Sequence, residues 1–264
     1  MKDQLDFYKI TLPIKNNLFD SLSKSVSFIA TGKGRLGNNL VCVDDKGIPI
    51  VRTTTNYKEP ACQFSSTHHN LVKQIVNTVE SSNVKVEDPL HFNNALIEMY
   101  SKSYKKMKYH SDQALDLKEG SYIALFSCYK NSGEQNIRTL KIKNKKTEEE
   151  SEIKLTHNSV ILFSTATNAK FSHKIILEDS SSIEESQEDC KWLGITFRTS
   201  KTYIQFKNNI PYFLDGSIVE LANETQEKEF FKLRGEENKG VNFLYPKLNY
   251  TLSMADTLEP KKDN

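Results

Sequence analysis

Lys108-Tyr109-His110-Ser111-Asp112-Gln113 is the stretch on which the reading of this chain turns, together with Lys170-Phe171-Ser172-His173-Lys174. A His-x-Asp pair followed much later by a lone His is the donor set of a two-histidine, one-carboxylate iron site. Two neutral imidazoles and a carboxylate occupy one face of Fe(II), and the remaining positions stay open for a co-substrate and O2. Residues two apart on a strand share a face, so a strand here would aim His110 and Asp112 at one ion. The third ligand must then come from another strand. On residue type alone His173 competes with His157, in Leu155-Thr156-His157.

The sequence around these residues has the texture of a β-rich domain. Short β-branched and aromatic runs recur over 95–101, 106–111, 122–127, 137–143, 152–155, 160–164, 171–177, 193–198 and 203–206, broken by polar turns. Many short strands at regular spacing predict a sandwich, a jelly roll or a barrel. Upstream, 25–30, 40–43 and 48–53 also read as strands, and one short helix is expected near 17–23. The spacing of Leu71, Ile75, Val76 and Val79 predicts an amphipathic helix over 67–80. Past residue 207 one helix is expected over 225–233, followed by a polar tail expected to be partly disordered.

Composition narrows the classes. A chain of 264 residues with 37% hydrophobic and 10% aromatic content can bury a full core. A net charge of +2 does not by itself mark a nucleic-acid binder. The four cysteines, Cys42, Cys62, Cys128 and Cys190, form no C-x-x-C pair, which argues against a zinc ribbon and a disulfide scaffold. No signal-like start and no long apolar run is present, so the sequence reads as an intracellular protein without a membrane span.

Other motifs carry plainer readings. Gly32-Lys-Gly-Arg-Leu-Gly37 spells a dinucleotide fingerprint, but a strand rather than a helix follows it, so it reads as a glycine-rich turn. His68 and His69 point in different directions on a helix and read as a solvated helix start. The basic run Lys102-Ser-Tyr-Lys-Lys-Met-Lys108, with Lys105 and Lys106 at its centre, reads as a charged hairpin turn; a phosphate-binding patch beside His110 is its second reading.

In order along the chain, several segments resemble the AlkB-like branch of the Fe(II)/2-oxoglutarate-dependent oxygenases. Ile48-Pro-Ile-Val-Arg-Thr-Thr-Thr-Asn-Tyr57 resembles the family's substrate-lid segment, and Phe92-Asn-Asn-Ala-Leu-Ile-Glu-Met-Tyr100 its co-substrate strand. Tyr109-His-Ser-Asp112 resembles its metal segment, and Leu155-Thr-His-Asn-Ser-Val-Ile-Leu-Phe163 its "L.HG" strand. Phe171-Ser-His173 and Ile195-Thr-Phe-Arg198 complete the series. Six ordered matches are far more specific than any one of them.

The resemblance implies a double-stranded β-helix, or jelly-roll, core with flanking N-terminal helices. It divides the chain into an N-terminal extension over 1–45, an oxygenase domain over 46–206 and a C-terminal extension over 207–264. It favours His173 over His157 and assigns His110, Asp112 and His173 to Fe(II). It assigns Tyr100, Thr196 and Arg198 to 2-oxoglutarate, and Arg52 and Tyr57, with Lys105 and Lys106, to the substrate. The implied reaction uses Fe(II), 2-oxoglutarate and O2 to hydroxylate or oxidatively demethylate a substrate. Within this branch the substrate implied is an N-alkylated, single-stranded or damaged nucleic acid. The same chemistry on a protein or small molecule, and a catalytically reduced binding module on the same fold, are the alternatives. Three positions depart from the family: Glu98 stands for an asparagine, Ala114 for an acidic base-reading residue, and Trp192 for the first anchoring arginine.

Overall fold

A computed structural model describes residues 7–105, 107–131, 136–178 and 191–262. In chain order the elements begin with β1 (Phe7–Thr11), α1 (Phe19–Lys24), β2 (Ile29–Gly32), β3 (Arg35–Val41), β4 (Ile48–Pro49), β5 (Cys62–Gln63), α2 (Ser66–Glu80) and β6 (Asn94–Tyr100). Then come β7 (Tyr122–Tyr129), β8 (Thr139–Asn144), β9 (Glu150–Lys154), β10 (Ser159–Ser164), α3 (Thr165–Lys170), β11 (Phe171–Ile176) and β12 (Trp192–Arg198). The C-terminal part holds β13 (Tyr203–Lys207), β14 (Ile210–Phe213), β15 (Glu220–Leu221), α4 (Glu224–Lys239), β16 (Tyr250–Thr251) and a 3-10 turn at Met254–Thr257.

The principal sheet runs β1-β10-β7-β12-β6-β3-β2, with β5 beside β3. Strand β7 shows why it is buried on both faces. Tyr122, Ala124, Phe126 and Cys128 alternate to one side and pack with Phe19, Leu22, Leu71, Ile75 and Val79 of α1 and α2. Ile123, Leu125 and Tyr129 alternate to the other and meet Leu140, Ile142 and Ile175 of a smaller sheet, β11-β8-β9. The two sheets therefore face each other as a jelly roll, open-edged rather than closed into a barrel. Each fully buried Leu, Ile or Phe in these layers contributes about 1.5–3 kcal/mol. The outward face of β8 and β9 is an ion-pair ladder of Lys141 with Glu152 and Lys154 with Glu178, which keeps this edge polar.

Several expectations change. Of the extension expected over 1–45, the described residues 7–45 are no appendage: they supply β1, β2 and β3 to the principal sheet, and β3 pairs with β6 along its whole length. The strand expected over 40–43 catches only the end of β3; the low β propensity of Arg35-Leu-Gly-Asn-Asn39 hid its start. Buried Asn38 is satisfied by donating to the Ser27 carbonyl at 2.9 Å. The glycine-rich turn is the β2–β3 hairpin, with Gly34 at φ +72. The strand expected over 106–111 is absent; among the described residues of that segment only His110 bridges, to His173. Position 48–53 forms only the two-residue β4. His68 is fully buried rather than solvated, its Nδ1 accepting from the Ser65 backbone N–H at 3.0 Å.

The tail expected to be partly disordered carries β14, β15, α4 and β16. Phe230 of α4 is buried against Leu115, Leu248, Tyr250 and Leu252. Arg52 fastens this part to the rest. Its guanidinium donates to Asp116 Oδ1 at 2.7 Å and to the carbonyls of Leu248 and Tyr250 at 2.8 and 3.2 Å. No helix among the described residues is long and apolar enough to cross a membrane.

Candidate metal centre

His173 sits on β11, where pairing with β8 fixes its backbone. His110 reaches it from a loop through one antiparallel bridge, its N–H donating to the His173 carbonyl at 3.0 Å and its carbonyl accepting from the His173 N–H at 2.7 Å. The two rings lie 4.8 Å apart. Asp112 is held by a side chain the sequence reading passed over. Asn168 of α3 accepts from the Asp112 N–H and donates to its carbonyl, both at 2.8 Å. One ligand atom from each of His110, Asp112 and His173 lies within 4.8 Å of the others.

The state of these donors suits a cation. The Lys108 carbonyl can only accept, so His110 Nδ1, 3.0 Å away, carries the proton and Nε2 keeps the lone pair. Asp112 Oδ2 and His173 Nδ1 are buried without hydrogen-bond partners. Burial, with His110 beside it, lowers His173 to about 3, so it is neutral across the physiological range. Burial also lowers His110. Burial alone would raise Asp112, but Arg198, His173 and His110 more than offset it and hold the carboxyl ionised. Two neutral imidazoles and one carboxylate match non-haem Fe(II).

A cavity of about 410 Å³ opens from these residues. Its floor is the inner face of β12, β6 and β3, where register sets three cross-strand rows: Thr196–Leu96–Asn39, Gly194–Glu98–Gly37 and Trp192–Tyr100–Arg35. Thr196 and Arg198 line the cavity, and Arg198 Nε is buried with no acceptor. Tyr100 is fully buried; its hydroxyl donates to Glu98 Oε2 at 2.8 Å. Arg35 donates to Glu98 Oε1 through Nε at 2.6 Å and Nη2 at 2.5 Å. The Trp192 indole stacks on Tyr100 at 4.8 Å and folds over Gly194, where a Cβ would come within 2.1 Å of it. Only glycine leaves that space.

Helix α4 covers the cavity with Phe231, Arg234 and Asn238. It also satisfies the backbone of the metal loop, which lacks a strand partner. Asn238 Oδ1 accepts from the Ser111 N–H at 3.0 Å, and Glu237 Oε1 from the Ala114 N–H at 2.7 Å. Arg234 donates to the Ser111 carbonyl and to Glu237.

The other sequence candidates fall elsewhere. His157 lies apart from the triad, its Nδ1 accepting from the Tyr129 N–H at 3.1 Å. Arg52 is consumed by Asp116 and the two carbonyls, and so is built into the core rather than offered to a substrate. Tyr57 is buried, its hydroxyl close over Gly37. Lys105 is exposed and does not line the cavity, whereas Lys108 does. Lys106 lies outside the described residues. Ala114 faces a second cavity, not this one. Asn168, Arg234, Glu237 and Asn238 carried no motif, and Arg35 lay unremarked within the glycine-rich run; only Ser164, an N-cap accepting from the Thr167 N–H, could have signalled α3.

The model of the 2OG-Fe(II) oxygenase superfamily matches residues 38–198, more than half of the chain. The chain belongs to that superfamily: it is a 2-oxoglutarate-dependent dioxygenase. Its fold is AlkB-like, matching the solved structure of OsALKBH1 at a TM-score of 0.50 and 13% identity over 75% of this chain and 100% of that one. A prolyl-4-hydroxylase from Pseudomonas putida matches at a TM-score of 0.40 and 12% identity over 75% and 94% of the two chains. No curated protein matches by sequence. The triad, Tyr100 and Arg198 fall inside the matched segment, while Arg35 and α4 fall outside it.

Proposed function

We propose that His110, Asp112 and His173 hold Fe(II), and that the chain uses 2-oxoglutarate and O2 to hydroxylate an N-alkyl group on a nucleic-acid base. The observation that carries the metal reading is the convergence of one ligand atom from each of His110, Asp112 and His173 within 4.8 Å, with His173 Nε2 3.7 Å from Asp112 Oδ1 and a His110 tautomer that presents Nε2. Fe(II) with 2-oxoglutarate and O2 supplies the oxidation: succinate and CO2 form, and one oxygen atom enters a substrate C–H bond. The protein's own groups orient the reactants. Arg198 Nε, a buried donor with no acceptor, suits the carboxylate of the oxo-acid end. Asn168 and α4 fix the loop that carries His110 and Asp112. Phe163, Leu125, Leu140 and Ile175 keep water from the inner wall.

The substrate reading rests on the cavity's lining. Lys108 can meet a phosphate, and Tyr104, Tyr109 and Phe231 offer faces for stacking. Hydroxylation of an N-methyl group there would release formaldehyde. A protein side chain is the second reading, favoured by Ala114, which offers no carboxylate to a base.

The test is succinate formation by protein loaded with Fe(II), given 2-oxoglutarate, ascorbate and either an N-methylated single-stranded oligonucleotide or an N-methylated peptide. Stimulation by the oligonucleotide, with formaldehyde, is expected. Stimulation by the peptide alone replaces the substrate reading. No succinate at full metal occupancy defeats the reaction itself.

A further inference from the structure

The two ends of the metal cavity differ in charge. Near the triad, Arg198 has an unused buried donor. Farther along β12, in register with cavity-lining Tyr100, stands Trp192, a buried indole that brings no charge. A dicarboxylate with its oxo-acid end on the metal would need a cation for its second carboxylate within the same cavity.

The cross-strand row supplies a cation from the other side. Trp192, Tyr100 and Arg35 lie in register on β12, β6 and β3, so Arg35 flanks Tyr100 opposite the indole. Arg35 lines the cavity, and Glu98 occupies part of its guanidinium fork. Behind Tyr100 lies a second guanidinium. Arg138 is 1% exposed and stands 5.2 Å from the Tyr100 ring; its side chain donates to the Tyr104 and Ser101 carbonyls at 3.0 and 2.7 Å. Among the described residues it has no ion-pair partner. Two guanidiniums and one carboxylate thus surround Tyr100, and one further carboxylate would neutralise the group. A buried uncompensated charge is costly, so this balance favours an incoming anion.

We propose that Arg35 is the receptor for the distal carboxylate of the 2-oxo acid, and that Glu98 holds this guanidinium as an internal competitor until the ligand displaces it. The proposal rests on the Fe(II)/2-oxoglutarate reading of the triad. Arg35 is a specificity-determining residue here: it selects a diacid over a monoacid of equal length. Glu98 sets the affinity, because its carboxylate and the ligand's compete for one fork.

Anaerobic calorimetry on the Fe(II)-loaded protein tests this with 2-oxoglutarate and with 2-oxopentanoate, the same carbon chain lacking the distal carboxylate. The proteins are wild type, Glu98→Gln and Arg35→Leu/Glu98→Gln. The double variant removes both members of the Arg35–Glu98 pair together and leaves Arg138 on its two carbonyls as in wild type. Glu98→Gln should bind 2-oxoglutarate roughly tenfold or more tighter than wild type, as befits an unblocked charge-assisted hydrogen bond, with 2-oxopentanoate unchanged. The double variant should bind both acids alike. A preference for 2-oxoglutarate that survives in the double variant overturns the role of Arg35 and leaves the metal reading intact. Failure of Glu98→Gln to tighten 2-oxoglutarate overturns the competition. If Fe(II) binds but neither acid does in any of the proteins, the co-substrate reading falls and this proposal with it.

Discussion

Glu237→Ala tests whether helix α4 holds the metal loop or merely lies on it. Glu237 is 6% exposed and carries three bonds: from the Ala114 N–H at 2.7 Å, from Arg234 at 2.5 Å and from the Tyr245 hydroxyl at 2.7 Å. Truncation strands all three donors. Removing one member of a buried ion pair costs about 3–5 kcal/mol, because the other charge stays behind. For a chain of this size each kcal/mol lowers Tm by about 2–4 °C, so a fall of about 6–20 °C is expected. The functional effect is separate. Loss of a group that orients metal ligands typically weakens metal binding about 10–100-fold, and Ala114 is two residues from Asp112. Thermal unfolding of the metal-free protein and a competitive Fe(II) titration at low temperature read the two effects independently. A Tm within about 2 °C of wild type, with unchanged metal affinity, would refute the argument that α4 fixes the loop.

Two further outcomes are expected. Asp112→Ala should abolish Fe(II) binding and His157→Ala should spare it, as equilibrium metal titration would show; loss of iron in the His157 variant alone would overturn the ligand assignment. The Asp256 carboxyl is raised to about 7 by burial, with Asp116 adding to the rise and the Thr251 hydroxyl and Arg52 opposing it. The fold therefore accepts the neutral acid. Its contribution is full below about pH 4 and is lost as pH rises through about 7, a change of up to about 4 kcal/mol. Urea unfolding of Asp256→Asn should lack that decline between about pH 4 and 7, and parallel pH curves for the two proteins would defeat the assignment.

The parts of this molecule that were legible in the sequence are those where side-chain period and local structure agree. Strand β7 alternates between two cores, and α2 places Leu71, Ile75 and Val79 on one stripe, so both could be read directly. The triad residues were legible as chemistry but not as geometry. The expected strand would have aimed His110 and Asp112 by its pleat; instead Asn168, Asn238 and one bridge to His173 do so. Those partners come from 56 to 127 residues away, and nothing local marks an asparagine that will cap a distant loop. Strand β3 was obscured for a related reason. Gly37 and Asn38 disfavour a strand in isolation, yet Gly37 admits the Tyr57 hydroxyl and Asn38 finds its acceptor only after folding. Arg35 was invisible because its role depends on register with Tyr100, which is a property of pairing and not of spacing.

The ties made by Arg52 bear on the order in which the chain is made. Arg52 and Asp116 are separated by 64 positions, but the same guanidinium waits for the carbonyls of Leu248 and Tyr250, 196 and 198 positions on. The loop ending near Ala114 waits in turn for Glu237 and Asn238. On a ribosome, the principal sheet through β12 can pair while these partners are still unsynthesised. The metal loop cannot settle until residues through about 250 have emerged, since contacts this distant in sequence form late. Iron would then be captured as one of the last steps of maturation, after the sheet that cradles it has paired.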